Sequence, residues 1–323
     1  MNAYNKEDTY LGNHLVKRDG VNQKFTAEEI REYGKCMNDP AYFAETYIKV
    51  ISLDKGLVPF KLYDYQVEMF KHFRNNRFTA LLACRQSGKS LSSLIYLLWY
   101  AIFHPEKMIV VLANKGGTAR ELLGRITLAL ENLPFFLQPG CKTLNKGRIT
   151  FSNNSTILAG STSSSSIRGY SVNLLLLDEF AFVKNANEFY TSTYPVITAG
   201  DSTQVIMTST ANGVGNLFYK MYEGAVQGTN DFKPFRVDWW DVPGRDQAWK
   251  ETTIRNTSQL QFDQEFGNCL ESNSQIRIRI NNEYESLIRI GDLYTAGRRA
   301  ESSGLSLAEE IRLSSIRWDN VKT

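Results

Sequence analysis

Ten residues constrain this chain more than any others. They read Leu81-Leu-Ala-Cys-Arg-Gln-Ser-Gly-Lys-Ser90, an apolar run that breaks into Gly-Lys-Ser and leads into a helical pattern. A strand, a tight loop and a helix in that order aim backbone N–H groups and a helix N-terminus at one point, as a chain of phosphates requires. Gly88 lets the backbone approach closely, Lys89 can reach the terminal phosphates, and the Ser90 hydroxyl can ligate Mg²⁺. The spacing departs from G-x-x-x-x-G-K-[ST] at its first position, where Ala83 stands in place of glycine. Taken alone, the loop leaves an ordinary turn open as the alternative.

A second motif brings Asp178 89 residues on from Lys89: Leu174-Leu-Leu-Leu-Asp-Glu179, an apolar run ending in adjacent carboxylates. At the C-terminal edge of a parallel sheet, such a strand would bring Asp178 to a Mg²⁺ ion and Glu179 to an attacking water as general base. A core strand with a solvated acidic end is the bland alternative. The two motifs in this order, with strand patterns between them, point to ATP hydrolysis. A third run, Gln204-Val-Ile-Met-Thr-Ser-Thr210, ends in hydroxyls at Thr208, Ser209 and Thr210 that could sense the terminal phosphate and pass its loss to another element. Charge on the transferred phosphoryl group calls for an arginine, and Arg85 and Arg168 are the candidates.

Short apolar runs separated by helical stretches begin at Phe78 and read as an α/β P-loop fold, a mainly parallel sheet flanked by helices. The expected strands are Thr79–Ala83, Met108–Ala113, Arg148–Leu158, Val172–Asp178 and Gln204–Thr208. Before them, Thr26-Ala-Glu-Glu29 has capping-box spacing and Asp39-Pro40 sets a cap before a first-turn proline. These predict helices over 27–37 and 40–51, a small helical subdomain, behind a polar arm at 1–24. After Cys269 the strict alternation of Gln275-Ile-Arg-Ile-Arg-Ile280, followed by Leu287-Ile-Arg-Ile-Gly291, predicts a hairpin turning through Asn281-Asn282, with an amphipathic helix over 305–318. The expected domains are 1–57, 58–268 and 269–323.

Composition mostly excludes. With 37 basic and 34 acidic residues the net charge is +3, so a nucleic-acid surface would have to be a local patch. The four cysteines, Cys36, Cys84, Cys141 and Cys269, show no C-x-x-C pairing, against a zinc site or disulfide framework and in favour of a reduced compartment. The longest apolar stretch, 91–103, is shorter than the roughly 20 residues a bilayer crossing needs, and the polar N-terminus is no signal peptide, so no membrane partner is expected.

Together these motifs resemble the large subunit of tailed-bacteriophage terminase. The likeness runs over about 35–268 and includes Cys36-Met-Asn-Asp-Pro40, Ile51-Ser-Leu-Asp-Lys-Gly56, Asp64-Tyr-Gln66, Arg85-Gln-Ser-Gly-Lys-Ser90, Ile167-Arg-Gly169, Asp178-Glu-Phe-Ala181, Thr208-Ser-Thr-Ala-Asn-Gly213 and Phe262-Asp-Gln-Glu-Phe266. The family tolerates a missing first glycine. The resemblance implies a P-loop ATPase of viral DNA packaging, with Gln66 at adenine and Arg85, Gln86, Ser87, Gly88, Lys89 and Ser90 around ATP. It places Ser90 and Asp178 at Mg²⁺, Glu179 at the water, Arg85 or Arg168 as the charge-stabilising arginine, and Thr208 to Thr210 as the coupling segment. It also implies double-stranded DNA, a portal and a small terminase subunit as partners, a ring of copies, and the host cytoplasm as location.

The family continues into a nuclease domain, for which only 55 residues remain after 268. From Cys269 onward the chain instead resembles the opening block of an intein, with Asn273-Ser274 where inteins commonly have Asp-Thr and an Ile288-Arg-Ile-Gly-Asp-Leu293 run. Cys269 would be the splicing nucleophile. All three histidines, His14, His72 and His104, precede it, so this piece could not splice alone. The reading is an N-terminal split-intein fragment whose partner chain carries the complementary C-intein and the nuclease half. Two other readings stay open: a helicase-like nucleic-acid translocase, which should carry a second ATPase lobe, and a truncated terminase that serves only as an N-extein donor.

Overall fold

The computed structural model describes residues 6–268 apart from 53, 164–166, 168, 199 and 214. It also describes 275–280 and 284–289, and isolated positions beyond (296, 300, 304 and 306). Arg168, Cys269, the Asn281-Asn282 turn and the 305–318 segment lie outside the described residues.

Two hairpins and three helices precede the main sheet: β1 (Thr9–Tyr10), β2 (Asn13–Lys17), α1 (Ala27–Asn38), α2 (Pro40–Tyr47), β3 (Lys49–Ser52), β4 (Gly56–Pro59) and α3 (Asp64–Asn75). Both predicted caps form. The Thr26 hydroxyl accepts from the Glu29 amide while the Glu29 carboxylate takes the Thr26 amide, and Asp39 caps α2 ahead of Pro40. The second helix ends four residues earlier than expected, because Lys49–Ser52 pairs with β4, where the β-branched Val50 and Ile51 suit an extended backbone.

The remaining elements are β5 (Phe78–Ala83), α4 (Lys89–Phe103), β6 (Met108–Ala113), α5 (Gly116–Glu131), β7 (Cys141–Leu144), β8 (Arg148–Phe151), β9 (Thr156–Ser161), β10 (Leu174–Leu177), α6 (Ala186–Thr198), β11 (Gln204–Ser209), α7 (Leu217–Gln227), β12 (Lys233–Val237), α8 (Gln247–Asn256) and α9 (Gln259–Glu265). Eight strands form one sheet in the order β12-β5-β11-β10-β6-β9-β8-β7. The first six run parallel, and β8 and then β7 are added by antiparallel pairing. The single strand expected over Arg148–Leu158 is two antiparallel strands. Asn154 turns the chain between them with a positive φ of 65°, and the Asn153 amide fixes the turn to the end of α4 by donating to the Ala101 and Ile102 carbonyls. Two sheet strands have no counterpart in the sequence reading: β7, and β12, which carries a proline and two basic residues and joins at the edge, where a missing ladder donor is tolerated.

The central strands are buried on both faces, as their near-continuous apolar runs require. Leu81, Ile109, Val111, Leu174, Leu176 and Ile206 pack into the larger core with α2, α3, α4 and α5. Their neighbours in sequence, Ala80, Val110, Leu175, Leu177, Val205 and Met207, face a second core closed by α6 and α7. A third cluster, Cys84, Trp239, Val242 and Phe262, with Trp249 and Phe266 packed against it, ties α8 and α9 to the start of the loop after β5. The N-terminal arm docks on the body. Val16 is fully buried, Lys17 Nζ donates to the Phe135 carbonyl at 2.8 Å, and Gln138 receives the Lys17 amide and donates to the Leu15 carbonyl.

Beyond the sheet, β13 (Gln275–Ile280) and β14 (Tyr284–Arg289) pair antiparallel from Gln275↔Arg289 to Ile280↔Tyr284. The two expected strands therefore pair antiparallel, the second starting three residues earlier than the sequence pattern suggested.

Candidate nucleotide site

Strand order decides the site. β11 lies between β5 and β10, so the loop after β5, the acidic pair after β10 and the hydroxyls ending β11 open side by side along one sheet edge. The loop runs from Cys84 to Gly88, and α4 begins at Lys89. Two of its residues take the left-handed conformation, Gln86 at φ 58° and Gly88 at φ 77°. Gly88 has no alternative: a Cβ there would lie 2.6 Å from Gln66 Nε2, in a backbone region that side chains avoid.

The loop's carbonyls are all engaged. Ser87 Oγ donates to Cys84 O at 2.9 Å, Arg245 donates to Arg85 O at 3.1 Å and to Gln86 O at 3.3 Å, and Tyr65 Oη donates to Ser87 O at 2.7 Å. Among the described residues, no protein acceptor takes the backbone N–H groups of Gln86, Ser87, Gly88 or Lys89. Donors without protein partners, fixed at a helix N-terminus beside a lysine, form a cradle for an anion.

Lys89 and the acidic pair meet. Lys89 Nζ lies 2.9 Å from Glu179 Oε1, with the lysine side chain only 6% exposed. Asp178 Oδ1 accepts from Ser90 Oγ and from Thr208 Oγ1, both at 2.9 Å. Glu179 Oε2 lies 3.3 Å from the Thr210 amide, 3.4 Å from Thr210 Oγ1 and 3.5 Å from Ser209 Oγ. The Glu179 backbone is left-handed at φ 50°, unusual for a non-glycine residue. Burial raises the carboxyl of Asp178 above its ordinary range, and the neighbouring Glu179 charge adds to the effect; bonds from Thr208 and Ser90 and the charge of Lys89 oppose it. Two carboxylates against one ammonium leave this pocket short of positive charge. An oxygen donor set of one hydroxyl and one such carboxylate, already 2.9 Å apart, suits Mg²⁺.

Outside the acidic pair the site opens into a cleft of about 330 Å³, lined by Arg85, Asn114, Thr118, Phe182, Thr210 and Glu265 among others. Arg85 sits at its rim. Its backbone N–H donates to Glu265 O at 2.9 Å and its guanidinium pairs with Glu265 Oε2 at 2.6 Å. Gln66 lies directly beneath the loop, against Gly88: it is 2% exposed, its side-chain carbonyl accepting from the Tyr63 amide at 2.9 Å and its Nε2 donating to Ser92 Oγ at 3.1 Å. Of the predicted residues, Lys89, Ser90, Asp178, Glu179, Thr208, Ser209 and Thr210 therefore converge, Arg85 borders them, and Gln66 supports the loop from below. Sequence reasoning missed Tyr65, Arg245, Phe182 and Glu265. Tyr65 and Glu265 at least fall inside quoted motifs, but Arg245 belongs to none.

Comparison with known proteins agrees with this fold. A family model described as terminase large subunit, T4likevirus-type, N-terminal, matches residues 80–276, well over half of the chain. Among solved structures, the large terminase ATPase domain of Thermus phage P74-26 superposes with a TM-score of 0.54 at 20% identity, covering 65% of this chain and 94% of that one. The HK97 bacteriophage large terminase gives 0.59 at 15% identity, over 76% of this chain and 60% of that one. The large terminase of a thermophilic bacteriophage, in complex with ADP, gives 0.51 at 14% identity, over 67% of this chain and 55% of that one. The chain thus spans nearly all of the isolated ATPase domain and a little over half of the longer large terminases. Similarity at these identities speaks for the fold, and the family match speaks for kinship: this chain belongs to the N-terminal family of terminase large subunits.

Proposed function

We propose that this chain hydrolyses ATP in the crevice between the loop after β5 and the acidic pair after β10, and that the reaction drives viral DNA packaging. The meeting of Lys89 with Glu179, and of Ser90 with Asp178, supports this reading above all else. Backbone N–H groups of residues 86–89 would bind the phosphate chain, and Lys89 would bridge its terminal phosphates. Mg²⁺ held by Ser90 and Asp178 would neutralise charge on the β- and γ-phosphate oxygens. Glu179 would orient the attacking water and accept its proton. Arg85 or Arg168 would balance charge on the γ-phosphoryl group. Thr208, Ser209 and Thr210, bonded to both carboxylates, would transmit loss of the phosphate along β11. Double-stranded DNA, a portal, a small subunit and a ring of copies complete the packaging reading. Lys89→Ala and Glu179→Ala should each abolish ATP turnover, and full activity in either variant would remove the assignment.

We further propose that residues from Cys269 onward are the N-terminal half of a split intein. The β13–β14 hairpin supports this, as does Asn268, held at φ 49° with its amide donating to Val237 O at 2.8 Å and Asp238 Oδ1 at 3.0 Å. The family match runs to residue 276, so this boundary lies inside the matched span. In the step, Cys269 Sγ would attack the Asn268 carbonyl carbon, the C–N bond would break, and the freed α-amine would take the thiol proton, leaving a thioester. Mass spectrometry after mixing with candidate C-intein polypeptides should show loss of everything from Cys269 onward. Cys269→Ala should prevent that loss, and its persistence in the variant would defeat the proposal.

A further inference from the structure

The loop after β5 lacks the first glycine usual in such loops and carries a non-glycine residue, Gln86, in the left-handed region. Something outside the loop must hold it in that shape. Of the four consecutive carbonyls at 84–87, two are held by one side chain that no motif predicts. Arg245, in the turn before α8, donates Nη1 to Arg85 O at 3.1 Å and Nη2 to Gln86 O at 3.3 Å, with Nη1 also 3.4 Å from Cys84 Sγ. The guanidinium is itself fixed, its central carbon 4.9 Å from the Trp249 ring centroid and 5.2 Å from that of Phe266. A planar fork clamped between two aromatic faces matches two adjacent carbonyl oxygens in a way that a flexible ammonium does not.

We propose that Arg245 is the positioning residue of the phosphate-binding loop. By turning the Arg85 and Gln86 carbonyls outward, it leaves the N–H groups of residues 86–89 facing the anion. Its guanidinium is engaged by those carbonyls and by the Trp249 and Phe266 rings, so it would act on the nucleotide only through the loop. This rests on the ATPase reading, and it makes the affinity of the loop depend on the aromatic cluster of α8 and α9, whose residues lie more than 150 positions further along the chain.

The test uses the full chain, with steady-state ATP hydrolysis and equilibrium binding of the fluorescent analogue mant-ATP measured in parallel. Arg245→Ala should raise KM for ATP and Kd for mant-ATP on the order of tenfold, the scale of losing charge-assisted hydrogen bonds, with kcat within about threefold. Arg245→Lys keeps the charge but not the fork, and should fall between wild type and Ala. Should Arg245→Ala fail to fold, the Lys variant decides: raised KM and Kd support the proposal, and wild-type values overturn it. Lys89→Ala separates the two readings. If it loses turnover and mant-ATP affinity while Arg245→Ala keeps both at wild-type values, the positioning role falls and the ATPase assignment stands. If Lys89→Ala behaves as wild type, both fall.

Discussion

Lys89 Nζ lies 2.9 Å from Glu179 Oε1, so the cation proposed to bind the terminal phosphates and the base proposed to activate water hold one another in an ion pair whose lysine is buried and whose glutamate faces the cleft. A γ-phosphate would compete with Glu179 for that ammonium and release the carboxylate toward the water. Glu179→Gln should therefore bind mant-ATP at least as tightly as wild type while turnover falls by a factor of about 10² or more, the usual contribution of a general base. Weaker binding together with residual turnover would contradict this order of events.

Asp178 couples stability to function with opposite signs. Its carboxyl is raised by burial and by the Glu179 charge, so between the unfolded and folded values the native state holds the proton more tightly than the unfolded chain. The contribution of this group to stability therefore falls as pH rises through that window and is regained on acidification. Asp178→Asn removes the buried charge and should raise the melting temperature at pH 7 while abolishing Mg²⁺-dependent ATP hydrolysis. Thr208→Val does the reverse: it strips a hydrogen bond from a buried carboxylate and should cost about 1–3 kcal/mol in denaturant unfolding.

Gln66 offers a test between two roles for one side chain. It is packed under Gly88 and bonded to the Tyr63 amide and Ser92. Gln66→Ala should destabilise the fold by about 1–2 kcal/mol through loss of the buried amide's partners. If its amide also reads adenine, the variant will lose preference for ATP over GTP in KM; if it only supports the loop, the two KM values will rise together.

Lys17 anchors the N-terminal arm under a desolvation penalty that lowers its pKa to about 8. A lysine whose folded value lies below its unfolded one binds fewer protons when native, so stability at this group increases as pH rises from about 8 toward the ordinary lysine value. Wild type should gain stability relative to Lys17→Met over that range, measured by urea unfolding at about pH 7.5 and about pH 10. Parallel pH profiles would show that the arm does not bury this charge.

Much of the site is legible in sequence because its parts are local. A strand running into Gly88-Lys89-Ser90 and another running into Asp178-Glu179 each state their own chemistry, since the strand–loop–helix geometry that presents them is built from neighbouring residues. The capping of α1 and α2 and the alternation of β13 are local in the same way. The apolar runs of β5, β6, β10 and β11 announce strands covered on both faces.

What no local pattern contains is adjacency. Only the sheet order, with β11 between β5 and β10, brings Thr208 to Asp178 and Thr210 to Glu179, because ladder hydrogen bonds are made between segments distant in the chain. Burial of Gln66, the pairing of Arg85 with Glu265 and the grip of Arg245 on the loop carbonyls likewise depend on where α3, α8 and α9 pack. The residue types suited to phosphate, metal and water were written in the sequence. Which of them touch, and what holds the loop that carries them, was set by long-range packing.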